Sequence, residues 1–250
     1  MTADYTLIQL PEVDSTNAYL RHYTPADEEV MTVVTAEYQT SGRGQGTNTW
    51  HSNAGENLLY SVLTHPHGVA ANRQFILSIA IALSVRDALR QHIGDVEIKW
   101  PNDIYWHHHK LGGILIECSL KGHQVKDCIM GVGLNVNQKE FPDTLPNPIS
   151  IYQVTLQSTD RNQLLHNIIC HLQAYLQEIA QGHYDAILES YLSSLYYRQG
   201  YHIFTDDNGS FMARIINIDP FGHLLLKDDD GMMRRYDFKE VQFVHENVTP

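Results

Sequence analysis

Apolar residues recur along this chain at two distinct periods. In residues 73–91, Phe75, Ile76, Ile79, Ala80 and Leu83 fall at helical spacing, which predicts an amphipathic helix with one buried face. Residues 161–180 and 184–195 predict two further helices. A short helix is expected over Ala18-Tyr19-Leu20-Arg21, because Asp14 and Ser15 just before it both suit an N-cap. The β-branched run Thr32-Val33-Val34-Thr35 predicts a strand over residues 30–36, and residues 57–63 read as the strand that returns. Residues 96–100 read as a strand stopped by Pro101. Ile104-Tyr105-Trp106 is expected to pair with residues 111–117 across the turn His107-His108-His109-Lys110. Residues 128–136 form another apolar strand, leading into a proline-rich loop at 142–148.

After Arg198 the texture changes. Asp207-Asn208-Gly209, Asp219-Pro220-Phe221-Gly222 and Asp228-Asp229-Asp230-Gly231 punctuate short runs, which predicts a small β-barrel or sandwich. A domain boundary is expected near Tyr197, dividing the chain into residues 1–196 and 197–250.

One stretch follows neither period. In Gln39-Thr40-Ser41-Gly42-Arg43-Gly44-Gln45-Gly46-Thr47-Asn48-Thr49-Trp50, glycines alternate around Arg43 and Gln45. Alternating glycine removes the side chains that a packed element would bury and leaves backbone N–H groups open. Arg43 and Arg21 are the only Lys or Arg in the first 72 residues, against eight Asp and Glu. A lone guanidinium in such a loop suits a phosphate or carboxylate; a flexible linker is the plainer alternative. No Gly-Lys-Ser/Thr closes the segment as in a P-loop, and its third glycine comes too early for a Rossmann turn.

The formal net charge of -12 argues against a general nucleic-acid surface, while leaving room for a small basic site. Cys118, Cys128 and Cys170 are an odd set without CxxC spacing, so they are expected to be reduced thiols in a cytoplasmic protein. The N-terminus has no signal-peptide pattern, and no apolar run reaches the length of about 18 residues that spans a membrane.

Three further clusters carry chemistry. In Lys99-Trp100-Pro101-Asn102-Asp103, a proline turn at a strand end presents two oxygen-bearing side chains. These suit either Mg²⁺ beside a phosphate or an Asx-turn. In Lys110-Leu111-Gly112-Gly113, a lysine opens a strand whose glycines allow close approach of a ligand; a solvated turn lysine is the alternative. In Gly131-Val132-Gly133-Leu134-Asn135, two glycines in an apolar strand imply that something packs on that backbone. Asn135 can either read a nucleobase edge or cap the next turn. His107-His108-His109 reads as a solvated turn, since neighbouring strand residues point to opposite faces.

The order of these elements is more specific than any one of them. Asp14-Ser15-Thr16-Asn17, Ala36-Glu37-Tyr38-Gln39, Gly42-Arg43-Gly44 with Trp50, Lys99-Trp100-Pro101-Asn102-Asp103, Lys110-Leu111-Gly112-Gly113-Ile114-Leu115 and Gly133-Leu134-Asn135 together resemble the biotin–protein ligases, or biotin–[acetyl-CoA-carboxylase] ligases. The motif-level likeness spans about residues 10–140, and beyond them only the layout agrees.

The resemblance implies an α+β fold: a mixed β-sheet with helices packed on one side, as in class II synthetases, plus a small C-terminal SH3-like β-barrel. It implies ATP, biotin and Mg²⁺, a biotinyl-5′-adenylate intermediate, and a biotin carboxyl carrier protein or other biotin-accepting domain as partner. With the net charge and the lack of a long apolar run, no nucleic-acid or membrane partner is expected, and a homodimer is left open. Position by position, it implies that Ser15, Thr16, Asn17 and Gln39 line the biotin pocket, and that Arg43 and Lys110 are catalytic, meeting the biotin carboxylate and adenylate phosphate from two sides. Gly42, Gly44, Gln45, Trp50, Lys99, Gly112 and Gly113 are expected to border the ligands. Asn102 and Asp103 are expected to face the metal and phosphates, and Asn135 the adenine.

Two departures stand out. Many members carry Gly-Arg-Gly-Arg-x-Gly-Arg, whereas Gln45, Thr47 and Asn48 occupy the later positions here, which implies weaker electrostatic retention of the adenylate. The motifs also begin at Asp14, which leaves no expected room for an N-terminal winged helix. The rival readings are a lipoate–protein ligase, disfavoured by the Gly-Arg-Gly and Lys-Trp-Pro-Asn-Asp motifs, and a non-catalytic biotinyl-adenylate sensor, disfavoured by the presence of Arg43 and Lys110.

Overall fold

The computed structural model describes residues 4–244. Its first part runs β1 (Tyr5–Val13), α1 (Thr16–Arg21), β2 (Met31–Gln39), β3 (Leu58–Thr64), α2 (Phe75–Ile93), β4 (Val96–Lys99), β5 (Asp103–Trp106), β6 (His109–Lys121) and β7 (Gln124–Leu134). Three helices follow: α3 (Ile151–Thr155), α4 (Arg161–Ala180) and α5 (Tyr184–Leu192). The strands form one seven-stranded sheet in the order β1-β2-β3-β7-β6-β5-β4. β1 and β2 are parallel and every other neighbouring pair is antiparallel, so the sheet is mixed.

Period-two alternation assigns the two faces. Val33, Tyr60, Val62, Met130 and Val132 join the main core with α2, α4 and α5. The alternate positions Val34, Leu63 and Ile129 pack instead with Leu20 of α1. A six-residue helix is too short to persist alone, and burying Leu20 supplies roughly 1.5–3 kcal/mol toward holding α1 on the sheet. The site lies on this second face, beside α1. β3 is central and buried at every position, which explains its weak alternation in sequence.

β1 carries no such pattern, because as an edge strand it is mostly exposed and has one neighbour. The other edge is closed: Ile98 N donates to Ser194 O (2.9 Å) and Tyr196 N donates to Ile98 O (2.9 Å). Only His107 and His108 of the expected 107–110 connection form the turn, since His109 and Lys110 already belong to β6.

Past α5, β8 (His202–Asp206), β9 (Gly209–Ile218), β10 (Leu224–Asp228), β11 (Met233–Tyr236) and β12 (Gln242–Phe243) form an antiparallel sheet in the order β11-β10-β9-β8-β12. It docks on the first sheet through Trp100, whose Nε1 donates to Gly222 O (2.9 Å), and through Phe238, whose ring centroid lies 5.5 Å from that of Trp100 and 5.9 Å from that of Phe75.

Candidate ligand-binding site

A cavity of about 390 Å³ opens on the face shared with α1, a volume suited to a small-molecule ligand. One end is neutral and polar. The N-terminus of α1 is capped from a distance: Gln39 Oε1 at the end of β2 accepts from Thr16 N (2.8 Å) and Thr16 Oγ1 (3.1 Å). Ser15 occupies the N-cap position but makes no side-chain cap, contrary to the local capping expected from sequence. Its side chain is buried at the cavity wall instead. Ser61 Oγ lies 2.7 Å from Thr16 Oγ1 and 2.6 Å from Asn17 Oδ1, and Asn17 Nδ2 donates to Leu115 O (3.3 Å). The Asn17 amide rests on Gly131, where a Cβ would overlap it.

The other end is charged. A bulge between β5 and β6 pairs Ile104 with Gly112 but Tyr105 with Lys110, leaving Leu111 as the extra residue. A regular strand would send positions 110 and 113 to opposite faces; the bulge brings both to the cavity and turns Leu111 into the core. Lys110 Nζ then meets Asp103 Oδ1 at 2.7 Å. Lys99 donates to the Tyr105 hydroxyl (3.1 Å) and lies over the Tyr105 and Phe243 rings. Burial pushes Lys99 below the usual lysine range and pushes the Tyr105 hydroxyl up to about 12.

Between the two ends stands the glycine loop. It folds back as a small hairpin, with an Arg43–Thr49 bridge, Gly44 N donating to Asn48 O (2.8 Å) and Trp50 N to Gly42 O (3.0 Å). No helix or strand forms over this stretch, in keeping with its alternating glycines. Its glycines serve close approach within the protein: a Cβ at Gly42 would lie 2.5 Å from Trp50 O. Arg43 NH1 reaches Glu117 Oε1 (3.5 Å), a carboxylate that Arg21 also holds in two-point fashion (2.5 and 2.8 Å). Trp50 sits on Gly133 and beside Gly113, and its Nε1 is a buried donor without a partner among the described residues. Such an orphan at a cavity wall is a place for a ligand acceptor.

A matching family model decides what kind of protein builds this cavity: the model of the biotin/lipoate A/B protein ligase family matches residues 10–135. The chain belongs to that family. Its sequence is 31% identical over 212 residues to the bifunctional ligase/repressor BirA of Bacillus subtilis, covering 82% of this chain and 64% of that one. It is 31% identical over 170 residues to the biotin–[acetyl-CoA-carboxylase] ligase of Mycobacterium tuberculosis, covering 65% and 61%. The chain thus spans less than two thirds of the length of these relatives. Among solved structures, the biotin protein ligase of Aquifex aeolicus in complex with biotin and ATP superposes with a TM-score of 0.79 at 25% identity, covering 96% of this chain and 99% of that one.

Within this family cavity, Ser15, Thr16, Asn17, Gln39, Arg43, Gly44, Gln45, Trp50, Lys99, Asn102, Asp103, Lys110 and Gly113 all line the wall. Asn135 does not. It is buried, and its Nδ2 donates to Lys110 O (3.4 Å) and Ile149 O (3.1 Å), as the capping alternative expects. Gly112 is likewise turned away, its missing Cβ making room for Gly133 O at 2.8 Å. Asn102 Nδ2 is committed to Ile114 O (2.7 Å). Asn102 Oδ1 and Asp103 Oδ2 accept no hydrogen bond among the described residues, and hard oxygen donors of this kind fit Mg²⁺ beside phosphates. Sequence reasoning missed Ser61, whose only signal is a hydroxyl inside the apolar run of β3, and Lys239 and Gln242, which carry no local signal.

Proposed function

We propose that this chain is an ATP-dependent biotin–protein ligase of the biotin–[acetyl-CoA-carboxylase] type. The observation that carries this reading is the pairing of a neutral hydrogen-bonding end (Thr16, Asn17 and Gln39, with buried Ser61 supporting them from behind) with a cationic end (Arg43, Lys110, Lys99) in one cavity. A ureido ring offers N–H and C=O groups to the first end. The dithiolane of lipoate offers neither and would cover this polar wall without adding a hydrogen bond to it, which disfavours it. The relatives named for biotin ligation, and the Aquifex complex with biotin and ATP, support the same conclusion.

In the proposed reaction a biotin carboxylate oxygen attacks the α-phosphorus of ATP, forming the biotinyl-adenylate and releasing pyrophosphate. Both reactants are anionic, so Arg43 and Lys110 lower the barrier by neutralising charge where they meet. Asn102 and Asp103 would hold Mg²⁺, which supplies further charge neutralisation on the phosphates. The amine of a carrier lysine then attacks the activated carbonyl and AMP leaves. No nucleophile of the enzyme is needed, and its contribution is positioning. In this reading residues 1–196 form the catalytic unit and 197–250 the C-terminal unit, the acceptor is a biotin carboxyl carrier protein or similar domain, and the protein acts in the cytoplasm without binding DNA. The net charge of -12 supports the last point, and no helix among the described residues is long and apolar enough to cross a membrane.

Incubating the protein with ATP, Mg²⁺, an acceptor domain and an equimolar mixture of biotin and lipoate tests the reading. A mass increase on the acceptor corresponding to one biotin is expected; transfer of lipoate, or of neither acid, would overturn it.

A further inference from the structure

We infer that Lys239, on the loop between β11 and β12, binds the polyphosphate of the nucleotide, so that the C-terminal sheet contributes a ligand contact of its own. This rests on the ligase reading above. Lys239 lines the cavity together with Val241, Gln242 and Phe243. Its ammonium reaches across to the tip of the glycine loop, where a methyl group at Gly46 would overlap Nζ. Phe243, further along the same segment, lies 5.5 Å from Lys99 Nζ, so this loop borders the charged end of the cavity.

The charges around the cavity show why this lysine matters. Arg43 faces Glu117, and Lys110 faces Asp103. Lys99 is sheltered against two aromatic rings. Lys239 has no carboxylate partner among the described residues. The glycine loop supplies a single cation, with Gln45, Thr47 and Asn48 adding none. A triphosphate beside a carboxylate brings more negative charge than Arg43, Lys110 and Lys99 offset, and Lys239 is a further cation on the same cavity wall. A compact ammonium on a flexible stem suits phosphate oxygens as a point charge.

The backbone supplies a second observation. Lys239 has φ of 71°, the left-handed region that glycine occupies readily and other residues avoid. Of the five non-glycine residues with positive φ among the described residues, Lys239 is the one that lines this cavity, and its backbone is held there at a cost that glycine would not bear. Glycine would relieve the strain and remove the ammonium, which separates the two effects.

The test is calorimetric titration of wild type, Lys239→Ala, Lys239→Gly and Lys239→Arg with inorganic pyrophosphate, with ATP and with biotin alone, alongside thermal melts. Lys239→Ala and Lys239→Gly should weaken pyrophosphate and ATP binding by about tenfold, as loss of one charge-assisted contact requires. Biotin affinity should not change, Lys239→Arg should retain nucleotide binding, and Lys239→Gly should melt no lower than wild type. If the wild type binds ATP and biotin while Lys239→Ala and Lys239→Gly bind pyrophosphate and ATP equally well, the Lys239 assignment is overturned and the ligase reading stands. If the wild type binds neither ATP nor biotin, the ligase reading itself fails, and this inference with it.

Discussion

The indole of Trp50 rests on the backbone of Gly133, and a side chain at position 133 would overlap the ring. This contact joins the end of the glycine hairpin to β7 and makes the ring part of the cavity wall. Gly133 shares that face of β7 with Gly131, which gives up its side-chain space to Asn17 in the same way. The two glycines thus form a strip on which one polar and one aromatic side chain are seated.

Gly133→Ala is expected to displace Trp50 and to weaken ATP binding while leaving the fold intact, because Gly133 is not in the left-handed region. Trp50 fluorescence should change in the unliganded protein. An unaltered emission spectrum together with wild-type ATP affinity would remove the proposed role of this contact.

Arg43→Ala and Lys110→Ala should each impair adenylate formation far more than folding. Each removes a charge-assisted contact worth about 1.5–3 kcal/mol in a partly desolvated site, or roughly tenfold or more in rate. Both side chains are partly exposed, with 45% and 33% of their surface open, so their ion pairs with Glu117 and Asp103 add little to stability. ATP–pyrophosphate exchange measured against thermal melts separates the effects; undiminished exchange in both variants contradicts the assignment.

Ser61→Ala is expected to lower biotin affinity and stability together. The hydroxyl is fully buried and touches both Thr16 and Asn17, so its loss strands buried polar atoms at a cost of about 1–3 kcal/mol. Biotin titration in the absence of ATP is the sensitive measurement. Unchanged biotin affinity would show that this network does not shape the ligand end.

Lys99 makes nucleotide binding sensitive to alkaline pH. Burial lowers its pKa below the usual 10.5, so the folded protein releases this proton at lower pH than the unfolded chain. Between those two values the unfolded chain binds more protons, and the Lys99 contribution to stability rises with pH. ATP binding should move the opposite way, weakening as pH rises through the folded pKa and the ammonium loses its charge. Lys99→Arg, which stays charged, should flatten the ATP-affinity profile; an equally steep profile in that variant would sink the explanation.

The sequence by itself determined the long helices, the central strands and the family. α4 was legible because its buried positions recur at helical spacing; α2 was legible from the same spacing of its largest apolar residues although it is buried nearly all round; and β2 and β7 were legible because β-branched and apolar runs favour a pleated, buried surface. Arg43, Lys110 and Asp103 stood out because charge beside glycine and proline has few structural uses. Other features were invisible for definite reasons. β1 lies at an edge and has no face that must be apolar. Ser61 is adjacent to Thr16 only because β3 passes beneath α1. Asn135 Nδ2 meets the backbone carbonyls of Lys110 and Ile149 only because segments far apart in sequence converge on it. Lys110 and Gly113 share a face only through the bulge at Leu111, which no local propensity announces. Lys239 reaches Gly46 only because the second sheet docks on Trp100 and Phe75. Periodicity and turn chemistry are local and can be read along a chain. Which side chains meet across a cavity depends on strand register and docking between sheets, and these come from packing between segments far apart in sequence.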